Sequence, residues 1–331
     1  MSEELIELEA GILTGVTKPT IDKIREADIT TVQALARQTP KEFSEKAGMG
    51  EDTARKAIEK ARALVDEGFI TATQLEKNRE GRTRLLTGSW QLDALIGGGV
   101  ESETTMELAG AFASGKTQIC HMLAVNAQLP VEQGGLGGAV AWIDTEDTFR
   151  PERIREICRN RGYDEDTFLE GIWHAQAMNS QHQKNLIQKL YAIVPENNIK
   201  LIIVDSMLGH LRAEYIGRGM LGSRQDLLKQ FTQHVLKVAL STKTTVVYTN
   251  QVMDNPGIMY GNPEKPTGGH IMGHAAGTRL WLRKGRNNVR IAKLIDSLSL
   301  PEGEAPFRIT EKGIEETEEK PVEVEEDAET G

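Results

Sequence analysis

Apolar positions follow two periods along this chain. Ile21, Ile24 and Ala27, then Val32, Leu35 and Ala36, recur at three and four residues, with breaks at Gly15, Asp28-Ile29-Thr30 and Thr39-Pro40. That spacing predicts a small all-α bundle over residues 1–64. From Leu85 onward the pattern changes. Residues 139–143, 201–204 and 245–249 are continuous apolar or β-branched runs, suited to strands buried on both faces, with helical patterns between them. Strands alternating with helices predict βαβ units, hence an α/β core with a mostly parallel twisted sheet over residues 85–313. Residues 278–283, 289–294 and 307–310 alternate instead, which predicts antiparallel edge strands. Residues 65–84 read as a linker, from Asp66 and Gly68 through a charged run to Arg84.

Charge alters the picture at one end. The 331 residues sum to −10, but residues 315–329 hold nine acidic residues and Lys320, a sum of −8, so the remainder is close to neutral at −2. With no aromatic residue and no apolar stripe, residues 314–331 are expected to be a disordered acidic tail. A solubilising extension is its simplest role, and an intramolecular competitor for a basic groove a sharper but less favoured one. No apolar run approaches the ~18 residues of a membrane span, and Met1-Ser2-Glu3-Glu4 does not open a signal peptide. Cys120 and Cys158 sit on apolar faces of predicted helices and read as buried thiols in a reducing compartment. A cytoplasmic protein with no membrane partner is the expectation.

Candidate chemistry centres on Gly110-Ala111-Phe112-Ala113-Ser114-Gly115-Lys116-Thr117, of the form G-x-x-x-x-G-K-T. In such a loop the backbone amides wrap phosphates, the lysine reaches the β/γ oxygens and the threonine hydroxyl ligates Mg²⁺. Its four fixed positions match by accident in roughly one chain in a hundred of this length. A strand pattern over residues 104–109 enters the loop and a helical one over 118–126 leaves it, which speaks against a turn that binds nothing. Asp205 ends an apolar strand where a second Mg²⁺-holding carboxylate belongs. Glu146, just past the strand ending at Ile143, is placed to polarise an attacking water; an acidic helix cap is the alternative from spacing alone. Gln251 follows the strand ending at Thr249, where an amide can bond the γ-phosphate and release it after hydrolysis.

These strings together resemble the archaeal RadA recombinases, relatives of the eukaryotic Rad51-type and bacterial RecA proteins. The resemblance runs from Phe69 to about Gly313 and rests on Thr87-Gly88-Ser89-Trp90, Phe112-Ala113-Ser114-Gly115-Lys116-Thr117-Gln118, Asp144-Thr145-Glu146-Asp147, Arg212-Ala213-Glu214-Tyr215, Asn250-Gln251-Val252, Gly268-Gly269-His270-Ile271 and Leu300-Pro301-Glu302-Gly303. It implies a RecA-like core, ATP and Mg²⁺ as cofactors, and a helical filament or ring of identical copies. That assembly would form on single-stranded DNA, search double-stranded DNA for homology and exchange strands, with recombination mediators as possible partners and a nucleoid-associated location. Lys116, Glu146 and Gln251 would be catalytic, and residues 110–118, Arg153 (on adenine) and His274 (a γ-phosphate sensor) would bind ATP. Asp296 and Pro301 would cap the nucleotide from a neighbouring copy. Phe69 and Ala72 match the polymerisation motif. Arg212, Tyr215, Arg218 and Arg224 in a mobile loop over residues 212–224, and Gly268 and Gly269 in a second loop over 254–273, would contact DNA.

Further features carry alternatives. Residues 13–18, followed by a helix, resemble half of a helix-hairpin-helix, whose hairpin amides grip a DNA phosphate, although Thr17 stands in place of its second glycine. Residues 47–50 offer a second hairpin, and a plain packing module is equally favoured. Six cations without an acid over residues 279–293 suggest a basic ridge for duplex DNA, or an exposed strand face. Ala111 and Ala113 depart from the family loop, and position 113 is expected to need φ > 0. A DNA-dependent ATPase that exchanges strands is the leading expectation; a mediator or paralogue that exchanges poorly is the alternative, and a hexameric helicase or clock-type ATPase a third.

Overall fold

The computed structural model describes residues 5–66, 68–254 and 264–318, apart from the side chains of Arg218, Asp254, Glu264, Lys265, His270 and His274. Residues 255–263 of the second loop and those beyond 318 lie outside the described residues. The tail expected over 314–331 starts too early: Ile314 and Glu315 end the last strand, Ile314 is fully buried, and Thr317 N–H bonds Gln91 Oε1 at 3.0 Å.

The N-terminal bundle follows its sequence punctuation. Helix α1 (Lys18–Glu26) opens with Pro19 in its first turn, α2 (Val32–Ala36) is capped by the Thr31 hydroxyl, and α3 (Pro40–Ala47) stops at left-handed Gly48 before α4 (Glu51–Val65). Leu8, Leu13, Ile21, Ile24, Leu35, Phe43 and Ile58 fill its core. The span read as linker contains a helix, α5 (Ala72–Arg79), which buries none of its residues. Arg79, Arg82 and Arg84 converge on Glu101 at 2.7, 3.0 and 3.4 Å, tying this helix to the core.

The core begins with a short ribbon, β1 (Arg84–Leu85) and β2 (Val100–Glu101), around α6 (Trp90–Leu95). There follow β3 (Thr105–Gly110), α7 (Lys116–Asn126), β4 (Ala139–Asp144), α8 (Pro151–Arg161), α9 (Glu165–Glu170), β5 (Ile172–Gln176) and α10 (Ser180–Glu196). Next come β6 (Ile199–Asp205), α11 (Gly209–Glu214), α12 (Leu221–Thr242), β7 (Thr245–Asn250), the ribbon β8 (Val252–Asp254) and β9 (Glu264–Pro266), and α13 (Gly269–Ala275). Four strands close the chain: β10 (Thr278–Lys284), β11 (Val289–Ser297), β12 (Gly303–Thr310) and β13 (Gly313–Glu315). The main sheet has the order β13-β12-β11-β10-β3-β7-β6-β4-β5.

Six neighbouring strands, β10 to β5 in that order, run parallel, and β11, β12 and β13 add antiparallel pairs. Residues 278–283 therefore form no edge strand. β10 lies inside the sheet, parallel to β3 and antiparallel to β11, and its alternation reflects half-buried outward residues rather than an open side. The parallel register sets Gly110, Asp144, Asp205 and Asn250 along one carboxyl-end margin, where ligands of α/β sheets bind. Among the described residues no helix is long and apolar enough to cross a membrane.

The bundle docks on α10 and α12, where Ile29, Leu35 and Phe43 share one buried cluster with Tyr191, Phe231 and Val235. Polar contacts orient it: Thr30 Oγ1 donates to Tyr191 O at 3.3 Å, and buried His234 bonds Glu42 Oε1 through Nε2 at 2.8 Å. The hydrogen bond from His234 carries the Glu42 carboxyl down from its ordinary 4.5 to about 2. A depressed carboxyl pKa stabilises the fold above the unfolded value, and that stabilisation fades as pH falls through the folded one. Glu42→Gln should accordingly lower the unfolding midpoint at pH 7. The gap from wild type should narrow as pH drops from about 4.5 toward 2, checked by chemical unfolding across that range. A gap that does not change with pH would show that the contact acts by packing alone.

Candidate nucleotide site and nucleic-acid face

Gly110 ends β3 where only glycine fits, since a Cβ there would stand 2.4 Å from Leu282 O and 2.6 Å from Ser114 Oγ. Three residues on, Ala113 has φ +59°, the left-handed conformation anticipated for this position. Lys116 opens α7 and donates through Nζ to the carbonyls of Gly110 and Ala111 at 2.8 and 2.9 Å. Burial holds its pKa below the usual lysine range, against the pull of Asp205 and Glu146. The Ser114 hydroxyl is buried with no protein partner among the described residues.

Asp205, 2% exposed, is the hub. Its carboxylate accepts the hydroxyls of Thr117 at 2.7 Å, Thr148 at 3.0 Å and Thr249. Burial raises its pKa, and these bonds from Thr249, Thr117 and Thr148 pull it back. Beside it, Glu146 Oε1 accepts Ser206 Oγ at 2.6 Å and Gln251 Nε2 at 2.9 Å, and Gln251 Oε1 accepts the Arg212 guanidinium. Glu146 is held there by buried Asp144, which accepts the backbone N–H groups of Glu146, Thr148 and Phe149 at 3.0, 2.9 and 2.9 Å. Burial alone would raise the Asp144 carboxyl; the N–H bonds outweigh it and leave the pKa low. Glu146 is no helix cap, because α8 starts only after Arg150.

A cavity of about 1210 Å³ collects residues 111–118, Glu146, Arg153, Asp205, Arg212 and Gln251. Arg153 Nε donates to Gln118 at 2.8 Å, and the same guanidinium reaches Glu156 and Thr310 O. Thr148, Ser206, Thr249, Asn288 and Thr310 also line the cavity, and sequence reasoning did not single them out; Arg290, expected only as part of the basic ridge, lines it too. Thr249 was legible in part, as a hydroxyl closing an apolar strand beside the one that ends in Asp205. Nothing in the sequence marks Asn288 or Thr310, which arrive through antiparallel strands. Asp296 and Pro301 do not line this cavity: Asp296 pairs with Arg279 near the start of β10, while the phosphate loop follows the end of neighbouring β3. The His274 side chain lies outside the described ones.

The stretch expected as a mobile loop over residues 212–224 is largely helical. It comprises the end of α11, a 3-10 turn at Arg218–Met220 and the start of α12, with Tyr215 and Arg224 half-buried. Its three glycines suggested a loop, but Leu227, Leu228 and Phe231 continue a helical stripe that draws the backbone into α12. Arg212 itself points into the cavity. Gly268, φ +94°, caps α13, and Gly269 follows at φ +54°. Of the six cations over residues 279–293, Arg279 pairs with buried Glu107, Arg283 with Glu304 at 2.9 Å and Lys293 with Glu302 at 3.5 Å, so half the ridge is neutralised within the sheet. Thr17 is extended, φ −75°, so the first hairpin needs no glycine there. Phe69 stands fully exposed just ahead of Ala72 in α5. At one end of the main sheet, β5 is an open edge carrying exposed Trp173, with Met178 exposed just beyond it.

A parallel sheet with a phosphate loop after its central strand, and carboxylates and amides on the adjoining strand ends, defines a RecA-like P-loop core joined to a helix-hairpin-helix module. Comparison with known proteins agrees. The Rad51 family model matches residues 78–317, and the SAM-like helix-hairpin-helix tandem model matches residues 3–72. The DNA repair and recombination protein RadA of Aeropyrum pernix is 45% identical over 306 residues, 92% of this chain and 96% of that protein. The chain belongs to the Rad51 family.

The left-handed Ala113 carries a measurable strain. Ala113→Gly relieves a conformation that costs an L-residue about 1–2 kcal/mol, less the entropy glycine adds to the unfolded chain. A net gain of about 0.5–1 kcal/mol is expected in denaturant unfolding. A loss of stability would mean that the alanine methyl packs favourably.

Proposed function

We propose that this protein is a DNA-dependent ATPase that assembles on single-stranded DNA, pairs it with homologous duplex and exchanges strands. Family membership supports that activity. The observation that carries the mechanism is the chain Glu146–Gln251–Arg212, which joins the nucleotide cavity to the start of the DNA-facing segment.

In this reading residues 110–118 wrap the phosphates, Lys116 exchanges its carbonyl partners for β/γ oxygens, and Arg153 lies along adenine. The hub fits a hard cation: a buried carboxylate ringed by hydroxyls, with Thr117 able to turn its oxygen lone pair outward. Thr117 and Asp205 would hold Mg²⁺, which when bound offsets the charge developing on the phosphates. Glu146 orients the attacking water and takes its proton at Oε1. Gln251 bonds the γ-phosphate, with His274 beside it, and its release after hydrolysis reaches Arg212 directly and the second DNA loop through β8. Arg212, Tyr215, Arg218, Arg224, Gly268 and Gly269 contact DNA through backbone and phosphate groups, so sequence is not read.

Assembly completes the site. Phe69 and Ala72 of one copy seat on the open β5 edge of the next, beside Trp173 and Met178. Asp296 and Pro301, remote from their own cavity, serve a neighbour's. A cytoplasmic, nucleoid-associated place and recombination mediators as partners complete the proposal.

Strand exchange between homologous single-stranded and duplex DNA, with ATP and Mg²⁺, tests this reading. Lys116→Ala should abolish exchange and cut ATP turnover by about 10²-fold or more while the fold stays intact. Phe69→Ala should leave a folded protomer that neither forms filaments nor exchanges strands. ATP-dependent DNA binding without exchange by the wild type would instead mark a mediator, and unwinding without exchange a helicase.

A further inference from the structure

The short helix α11 makes contacts that the nucleotide chemistry does not use. Its C-terminal end leads through Tyr215 into the DNA-facing segment, but its flank is bonded to the turn between β5 and α10. Glu214 Oε1 accepts the Ser180 backbone N–H at 2.7 Å, and Oε2 accepts the Ser180 hydroxyl. His210 Nε2 donates to Ala177 O at 2.8 Å. Gln183, in the first turn of α10 and fully buried, donates to Met207 O at 3.2 Å. These bonds bracket Met178, which is 79% exposed and lies directly beyond the open edge strand. The stem of the DNA segment and the end of the assembly edge are therefore one hydrogen-bonded unit.

The chemistry of the clamp suits a stiff connection. An ionised carboxylate accepting two bonds makes stronger contacts than a neutral acceptor, and its charge is favoured at the start of a 17-residue helix. Both partners are on short tethers. Glu214 is the last residue of α11 and Ser180 the first of α10, so neither side can shift without breaking the pair.

We propose that Glu214 is a positioning residue for cooperative assembly on DNA. DNA that grips the segment at Tyr215, Arg218 and Arg224 holds α11 in place; α11, through Glu214 and His210, holds the β5–α10 turn against which the next copy seats. Such coupling is reciprocal, so a seated neighbour also raises affinity for DNA. The inference rests on the assignment of Arg212, Tyr215, Arg218 and Arg224 to DNA and of the β5 edge to assembly.

The test compares full-length wild type, Glu214→Ala, Glu214→Gln and Ser180→Ala, each with a non-hydrolysable ATP analogue. Binding is measured on a long fluorescent oligo-dT and on one only long enough for a single protomer. Glu214→Ala should lower the Hill coefficient on the long strand and raise the protein concentration for half-saturation by roughly five-fold or more, with short-strand affinity unchanged. Ser180→Ala should show a smaller loss of the same kind, and Glu214→Gln, which keeps an oxygen for the Ser180 N–H, should fall between wild type and Glu214→Ala. A wild-type Hill coefficient in both alanine variants would overturn the proposal, as would an equal loss on both strands, which would place Glu214 in DNA contact. If Glu214→Ala does not fold, Ser180→Ala alone decides. A wild type that binds without cooperativity, and is indifferent to Phe69→Ala, would sink the assembly reading and this inference with it. Cooperative wild type beside unaffected clamp variants would sink the inference alone.

Discussion

Everything at the nucleotide cavity is arranged around one buried carboxylate. Asp205 lies at the end of a strand with sheet neighbours on both sides, where an unpaired charge would be costly. Three threonine hydroxyls, from the phosphate-loop helix, the turn after β4 and the end of β7, all donate to it. Those three segments carry the residues proposed to do the chemistry: Lys116 beside Thr117, Glu146 two residues before Thr148, and Gln251 two after Thr249. Satisfying Asp205 thus sets the spacing of Lys116, Glu146 and Gln251 in a single step. A second buried carboxylate, Asp144, plays the same organising part for the turn that carries Glu146.

How much of this was legible depended on whether a position is governed by local physics. The phosphate loop, the strands at 139–143, 201–204 and 245–249, and the helical punctuation of the bundle were readable because period, glycine and proline act within a few residues. Asp205, Glu146 and Gln251 were readable because a polar residue directly after a buried apolar strand has one place to go, the carboxyl-end margin. The errors arose where distant chain decides. Alternation in residues 278–283 signalled one exposed face, and pairing with β3 could not be seen from it. Glycines at 217, 219 and 222 argued for a loop, yet the apolar stripe following them extends α12 almost to the preceding helix. The reach of the Arg212 guanidinium to Gln251 was not legible either, because it joins residues 39 apart in the chain.

The basic residues of the last strands illustrate the same limit from the energetic side. Arg279 counted as one cation among six, but its side chain is only 14% exposed. Its partner Glu107 is completely buried on β3 and also accepts Asn250 Nδ2 at 2.6 Å. Asn250 in turn donates to Thr267 O at 2.7 Å, and Thr267 N–H donates to Gln251 O at 2.9 Å. A buried ion pair adds little net stability by itself, since desolvation consumes most of the attraction. Here it has a further consequence, because it fixes Asn250, and Asn250 locks the returning stem of the second loop to the strand that bears Gln251. Any displacement of Gln251 must then pull on that stem.

Two different surfaces of one chain are exposed: a projecting Phe69 and the unpaired edge of β5. Contact between unlike surfaces that is not reciprocated is heterologous. It propagates, ending in a ring if the rotation closes and a filament if it does not. The sheet makes this propagation useful. The phosphate loop follows the carboxyl end of β3, whereas Asp296 sits near the opposite end of the adjoining hairpin, remote from the cavity of its own protomer. Under the proposed assembly each protomer keeps the means to bind nucleotide while completion of the site falls to a neighbour. Hydrolysis would then be a property of assembled protein, and the helix-to-edge clamp at Glu214 is a hydrogen-bonded route by which DNA would influence that assembly.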